Sequence, residues 1–383
     1  SMAAAHHLGH SILAAAVLVA ASLFPGGRAT AACDMRHPEL ARGFSLTGWF
    51  DEAVPRPPDR ARLRELRERG FLHVRLPIAA ESVMARFASA SAIASRRQAI
   101  GAALDGLAGL GFAVVVDLHG GDRLAELFHR DPAAGRDAVI DAWRVLGPLV
   151  EARVERKVLA EVLNEPPIDD ATWSAMQAAI VAAMRREMPR TTFVVSTGGP
   201  QRVERLTAAT AIGDADTVYA VHYYDPMVFT HQGADWLAPD PIAALAGVPF
   251  PIRDHDPRLA ALATAARAAG KSEVAGYLDG LAPRSFDAAE IGRHMRVLAD
   301  WSRASGRPVV IGEFGVYRAH AAPADRLVWL TTVREAAEAN CLGWTHWEYR
   351  DGFGLIDDRT GEADEAVLTA LVGRRAGEKR PRS

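Results

Sequence analysis

Arg60-Ala-Arg-Leu-Arg-Glu-Leu-Arg-Glu-Arg-Gly70 runs directly into Phe71-Leu-His-Val-Arg-Leu76. In the first half, Leu63 and Leu66 lie on one helical face, and Gly70 is the residue type that stops a helix in the left-handed conformation. The second half is a short, nearly continuous apolar run, as expected of a strand covered on both faces and hence of a parallel sheet. The same unit recurs from residue 43 onward. Apolar runs lie at Phe44–Trp49, Phe71–Leu76, Phe112–Leu118, Val158–Leu163, Thr192–Ser196, Val218–His222, Pro308–Glu313 and Leu342–Trp347. Helical stretches fall between them at 59–70, 95–110, 134–155, 170–188, 287–305 and 323–339, with a last one near 363–372. Eight strands alternating with helices predict an α/β fold, a single (β/α)8 barrel. A doubly wound open sheet is the alternative, but no Gly-rich dinucleotide fingerprint follows the first strand.

One connection is longer than the rest. More than sixty residues separate Val218–His222 from the helix at 287, and they include Pro226, Pro239, Pro241, Pro249, Pro251 and Pro257. An Ala-rich helix is expected near 258–269. Long connections in compact domains usually serve function. This one leaves the C-terminal end of strand six, where barrel active sites sit, so the loop insertion 223–286 is expected to roof the site.

Composition narrows the function. The 383 residues carry 44 Lys+Arg against 47 Asp+Glu, a net charge of −3, so the basic footprint of a nucleic-acid binder is missing. With 49% hydrophobic and 24% charged residues, the chain is neither disordered nor a polytopic membrane protein. Ile12–Phe24 is an apolar run, interrupted only by Ser22, followed by Pro25, two glycines and Ala29-Thr-Ala31. This is the pattern of a cleaved secretory leader, residues 1–31, although no Lys or Arg precedes it. The expected layout is then a catalytic domain over 32–373 and a basic tail over 374–383, exported to the periplasm or medium and monomeric. The two cysteines, Cys33 and Cys341, show no metal spacing. They could form one disulfide in an oxidising compartment, or remain apart. No metal or cofactor is expected.

The C-terminal ends of barrel strands face the active site. Read in order, they carry Trp49, Arg75, Asp117 and His119, Asn164 and Glu165, Ser196, His222 and Tyr224, Glu313, then Trp347 and Glu348. Individually most have ordinary readings: an ion pair, a core histidine, a strand-ending turn before Pro166. Glu313 does not, because a carboxylate between Ile311-Gly312 and Phe314-Gly315 is costly unless paired or used. Two carboxylates at the ends of strands four and seven, ringed by a cation, an amide, histidines, a tyrosine and tryptophans, suit glycoside hydrolysis. That reaction needs one acid for the leaving oxygen and a second carboxylate.

The segments Gly70-Phe-Leu-His-Val-Arg75-Leu-Pro, Val116-Asp-Leu-His119-Gly, Leu163-Asn164-Glu165-Pro166, His222-Tyr-Tyr224, Ile311-Gly-Glu313-Phe-Gly and Trp344-Thr-His-Trp347 together resemble glycoside hydrolase family 5, the cellulase family, over residues 43–360. The resemblance implies a retaining glycosidase with Glu165 as acid/base and Glu313 as nucleophile. Arg75 and Tyr224 would hold and orient Glu313. His119 and His222 would line the cleft near the bond being cut, Asn164 would bind the sugar 2-hydroxyl, and Trp347 would stack under the −1 sugar. Phe229, His231, Gln232 and Trp236, in the loop after strand six, would touch sugar, and Trp49 joins them as a candidate substrate contact. Glu348 takes no role from the resemblance. The implied partner is a β-glucan or related carbohydrate, with mannan, xyloglucan or exo-acting variants on the same barrel as alternatives. Two other classes are a catalytically idle sugar-binding barrel and a metal-dependent barrel hydrolase. The latter usually places an HxH pair on the first strand, where Phe44–Trp49 has no His.

Overall fold

The computed structural model describes residues 33–377. The leader expected over 1–31, and residues 378–383 of the basic tail, lie outside them. From Asp34 onward the chain forms one compact unit. Eight strands, β1 (Arg42–Ser45), β2 (His73–Ala79), β3 (Ala113–His119), β4 (Val158–Glu161), β5 (Phe193–Val195), β6 (Thr217–Tyr223), β7 (Val309–Phe314) and β8 (Gly343–His346), pair in parallel in that order. Pairing of β1 with β8 closes the barrel. All eight strands were expected.

Each helix starts and stops for a local reason. Arg60–Arg69 is capped by Asp59, which accepts from the Ala61 N–H, and ends at Gly70 with φ 118°. The helix expected at 95–110 begins earlier, at Ala90, because the Ser89 hydroxyl accepts from Ala92 and sets the first turn there. Helices Pro132–Glu151, Asp170–Glu187, Ala288–Ser305, Pro323–Ala339 and Glu365–Val372 fall where the apolar spacing put them. Asp122–Arg130 was not expected; it buries Leu124, Leu127 and Phe128 in a single short stripe. The long connection after β6 holds helices Pro257–Ala268 and Ser272–Leu281 as well as loop. No helix among the described residues is long and apolar enough to cross a membrane. Both Cys33 and Cys341 are disulfide-bonded.

Strand side chains alternate in period two. Val115, Leu159, Val194, Val218, Ala220 and Val310 therefore meet as a dry apolar plug inside the barrel. One step further along the same inward rows come Asp117 on β3, Glu161 on β4 and His222 on β6. On β7 the strict alternation from Val310 would give Gly312 the inward place and turn Glu313 toward the helices. The pairing shifts instead: Val221 opposes Ile311, but His222 opposes Glu313. This one-residue bulge turns Glu313 inward. Gly312 tolerates it because a Cβ there would already press within 3.2 Å of the Ala220 Cβ.

A second close approach lies lower in the barrel. A Cβ on Gly43 would fall 2.2 Å from His73 Nε2, whose ring bonds to the Thr345 hydroxyl at 2.9 Å. Gly43→Ala is expected to lower stability by about 1–3 kcal/mol, the usual cost of overpacking. Urea unfolding measures it, and adding His73→Ala should give a smaller total loss than the two single changes summed.

Candidate active site

Arg75 projects from β2 into the barrel and is 1% exposed. Such a cation is tolerable only if every donor is used. Nε and Nη2 grip Glu161 at 2.8 and 3.0 Å. Nη2 also meets Asn164 Oδ1 at 2.8 Å and Asp117 Oδ2 at 3.1 Å. Nη1 donates to Glu313 Oε1 at 2.8 Å and lies 3.4 Å from the Ser45 hydroxyl. Burial opposes the charged guanidinium, but Asp117, Glu161 and Glu313 outweigh it and raise its pKa well above the ordinary value. One guanidinium does not balance three carboxylates. Burial and the Asp117 charge push the Glu161 carboxyl upward in spite of Arg75.

Glu313, 5% exposed, also accepts from the Tyr224 hydroxyl at Oε2, at 2.7 Å. Burial and the Glu313 charge raise the Tyr224 hydroxyl well above its usual range, so it remains a donor. Glu165 stands just past β4 with φ 38°, a left-handed conformation that costs a non-glycine residue about 1–2 kcal/mol. Gln201 supports it: its Oε1 accepts the Glu165 N–H at 2.8 Å, and its Nε2 donates to the Ala220 carbonyl of β6 at 3.2 Å. The Glu165 side chain keeps 40% of its surface open to solvent.

His222 joins the two carboxylates from below. Its Nδ1 is 2.8 Å from Glu165 Oε1 and 3.4 Å from Glu313 Oε2. One oxygen of each carboxylate and this nitrogen all lie within 4.8 Å of one another. Burial opposes the imidazolium, but Glu313 and Glu165 prevail and raise the pKa of His222. The opposite balance holds for Glu165: burial raises it, but the His222 hydrogen bond and charge, with help from His119 and Arg75, leave it below the ordinary value. That three-atom spacing would also suit a cation, but Arg75 already occupies the other oxygen of Glu313.

His119 lies across the cleft, with Nδ1 2.8 Å from Asp117 Oδ2 and its ring stacked on Trp347 at 5.8 Å. Burial pulls this imidazole down, while Asp117's charge and hydrogen bond carry it to about 8. Asn164 works against protonation. Its Oδ1 faces Arg75, so its Nδ2 points at His119 Nε2, 3.3 Å away, and that contact is favourable only while Nε2 carries no proton. The hydrogen bonds seen fit the neutral ring with its proton on Nδ1.

These groups open into a cleft of about 360 Å³ lined by His119, Asn164, Glu165, Tyr224, Glu313 and Trp347. Its far wall is His231, Trp236, Tyr317, Glu348, Asp351 and Phe353. Trp236 is 55% exposed and meets Tyr317 edge-on at 4.9 Å. Burial lowers His231 to about 4, so it faces the cleft as a neutral ring. A larger cavity of about 640 Å³ lies at the other end of the barrel, beside Val218, Val309 and Gly343, and contains none of these groups.

Four expected contacts are placed differently. Trp49 stacks on Phe50 at 4.8 Å and borders a separate groove with Pro58 and Leu107. Phe229 is buried against Phe250. Gln232 is buried too, bonded to the Phe229 and Val248 carbonyls and to the Val248 N–H, so it braces the loop. His222 lies under the carboxylates and is not part of the cleft wall. Phe229 lies on the short helix Met227–Thr230 of the long connection, where no strand alternation marks which side chain turns inward. Glu161 was missed, although it sits in the middle of Val158-Leu-Ala-Glu-Val-Leu163, where an unpaired acid would be as costly as at Glu313.

A family model described as cellulase (glycosyl hydrolase family 5) matches residues 33–350. Endoglucanase 3 of Fibrobacter succinogenes is 25% identical over 243 residues, which cover 60% of this chain and 35% of that protein. Cellodextrinase A of Ruminococcus flavefaciens is 24% identical over 212 residues, covering 51% of this chain and 62% of that protein. The chain thus matches about a third and under two thirds of the length of these curated relatives. Among solved structures, an endoglucanase superposes with a TM-score of 0.71 at 19% identity, covering 88% of this chain and 98% of the other. That likeness is one of fold.

Replacing Arg75 by Met leaves Asp117, Glu161 and Glu313 buried without their shared counter-charge. The expected loss is about 3–5 kcal/mol of stability, read by urea unfolding, as when one partner of a buried pair is removed. A loss under 1 kcal/mol would contradict the role of Arg75 as the hub.

Proposed function

The chain belongs to glycosyl hydrolase family 5, the cellulase family, and we propose that it cleaves β-glycosidic bonds of a β-glucan-type polysaccharide or oligosaccharide, as an endoglucanase-like retaining glycosidase. One observation carries the retaining reading. Oxygens of Glu165 and Glu313 lie within 4.8 Å of one another. Retaining enzymes hold their carboxyl groups about 5–5.5 Å apart, whereas inverting enzymes need about 6.5–9.5 Å to admit a water.

In this reading Glu313 is the nucleophile. Arg75 and Tyr224 each hold one of its oxygens, which leaves its remaining lone pairs to face the cleft. Glu165 is the acid and then the base, and its solvent-open edge suits both the leaving oxygen and the incoming water. In the free protein the shared proton lies on His222 Nδ1. A sugar filling the cleft strips water from Glu165, which disfavours its charged form and draws the proton across the 2.8 Å bond to Oε1. Glu165 then gives it to the glycosidic oxygen as Glu313 attacks the anomeric carbon. In the second half Glu165 takes a proton from water, which displaces Glu313. Asn164 and Trp347 suit the sugar 2-hydroxyl and the sugar's apolar face. The disulfide-bonded cysteines support an exported protein.

The deciding experiment incubates the protein with cellulose-derived, mannan, xyloglucan and β-1,3-glucan substrates and follows product length and anomer by NMR. A first-formed β-anomer supports the reading; a first-formed α-anomer overturns it. Glu313→Gly should lose turnover and regain it with azide, giving the α-glycosyl azide. Glu165→Ala should lower kcat/KM by about 10²–10⁴-fold on unactivated oligosaccharides.

His222→Ala removes the donor that stabilises the Glu165 carboxylate. In the wild type the alkaline limb of kcat/KM marks loss of the shared proton from the His222–Glu165 pair, which His222 holds with a raised pKa; without His222 the limb reports Glu165 alone and moves to lower pH. A pH–rate profile that shows this limb unmoved or raised would contradict the pairing.

A further inference from the structure

Glu348 follows Trp347 directly and lines the same cleft, yet the mechanism leaves it unused. The residue is 6% exposed. Among the described residues no hydrogen-bond donor reaches its carboxyl. The charges that act on it most strongly come from three places: Asp51 after β1, Glu313 on β7, and Asp351 and Asp358 on its own segment. All four are acids. The nearby cations are committed elsewhere. Arg56 bonds Glu52 and Asp351 and lies 3.9 Å from Asp358. Arg318 donates to the Asp351 carbonyl, and Arg350 lies over the Tyr349 ring. Burial and these four acids push the Glu348 carboxyl well above its ordinary pKa.

A buried carboxyl with neither counter-ion nor protein hydrogen bond is costly in an empty site. It becomes favourable when something in the cleft completes its bonds. An uncharged carboxylic acid has one O–H to donate and a carbonyl to accept, the complement of a sugar hydroxyl. Trp347 fixes where that hydroxyl would be, since a sugar ring lying on the indole presents its equatorial hydroxyls at the indole's rim. We propose that Glu348 is the specificity-determining group that donates a hydrogen bond to a hydroxyl of the sugar held against Trp347. This rests on the glycosidase reading above and adds a selectivity to it: the subsite recognises an uncharged glycosyl unit by that hydroxyl.

Steady-state kinetics on cellotetraose test it, with Glu348→Ala and Glu348→Gln compared against wild type. Glu348→Ala should raise KM about tenfold, the scale of one lost hydrogen bond to an uncharged group, with kcat within about threefold. Glu348→Gln, a neutral isostere that still donates and accepts, should recover most of that loss. A merely structural carboxyl would show no KM-selective loss with rescue by the amide. Thermal melts identify a variant that fails to fold; if Glu348→Ala does so, Glu348→Gln with wild-type-like KM still supports the proposal. Glu348→Ala that matches wild type overturns the subsite, and so does Glu348→Gln that is as impaired as Glu348→Ala, since the anion would then be the binding form. Wild type that leaves all the glucans and mannans of the panel intact overturns the glycosidase reading and this subsite together; wild type that cleaves cellotetraose while Glu348→Ala equals it overturns the subsite alone.

Discussion

The guanidinium of Arg75 is the point on which the site depends. A permanent charge cannot be left unpaired in the mouth of a barrel, and it cannot be neutralised by losing its proton. It therefore collects acceptors: Glu161 in a two-pronged grip, Asp117 and Asn164 on one side, Glu313 on the other. The grip of Glu161 fixes the plane of the fork, and the fork fixes Glu313 Oε1 and Asn164 Oδ1. Because Asn164 must turn its oxygen to Arg75, its amide nitrogen must face His119. One buried cation thus sets the orientation of three side chains that face the cleft.

The two carboxylates of the pair are held apart in character by where they sit. Glu313 is enclosed, with Arg75 and Tyr224 on its oxygens. Glu165 is half open, on a left-handed residue anchored by Gln201. His222 spans the gap, with Nδ1 2.8 Å from Glu165 Oε1 and 3.4 Å from Glu313 Oε2. Two similar acids are thereby given different surroundings by burial and by neighbours, without any difference in their own chemistry. Opposite them, the connections after β6, β7 and β8 supply an aromatic wall from Trp236, Tyr317 and Phe353. Within that wall lies Glu348, an acid among acids.

Much of the fold was legible because its signals are local. Eight apolar runs separated by amphipathic stretches have few solutions, and caps such as Asp59 and stops such as Gly70 mark their own helices. Signals that were present but unread include Ser89, which starts its helix five residues early, and Glu161, whose charge in a buried run already required a partner. The helix Ser272–Leu281, in the long connection, packs against Pro257–Ala268, a dependence that no local pattern carries.

What the amino-acid sequence determined by itself was the barrel, the strand ends that face its mouth, and the chemical types gathered there. Period two and the order of the strands are enough for that, since both are set by backbone geometry and by apolar burial. Only the tertiary structure decided which of those residues meet. The bulge that turns Glu313 inward, the choice of Glu161 as Arg75's main partner, the place of His222 beneath the pair, and the retreat of Trp49, Phe229 and Gln232 from the cleft all depend on contacts between segments far apart in the chain. A residue's type is written in the sequence, but its partner is fixed by distances that exist only once the barrel has closed.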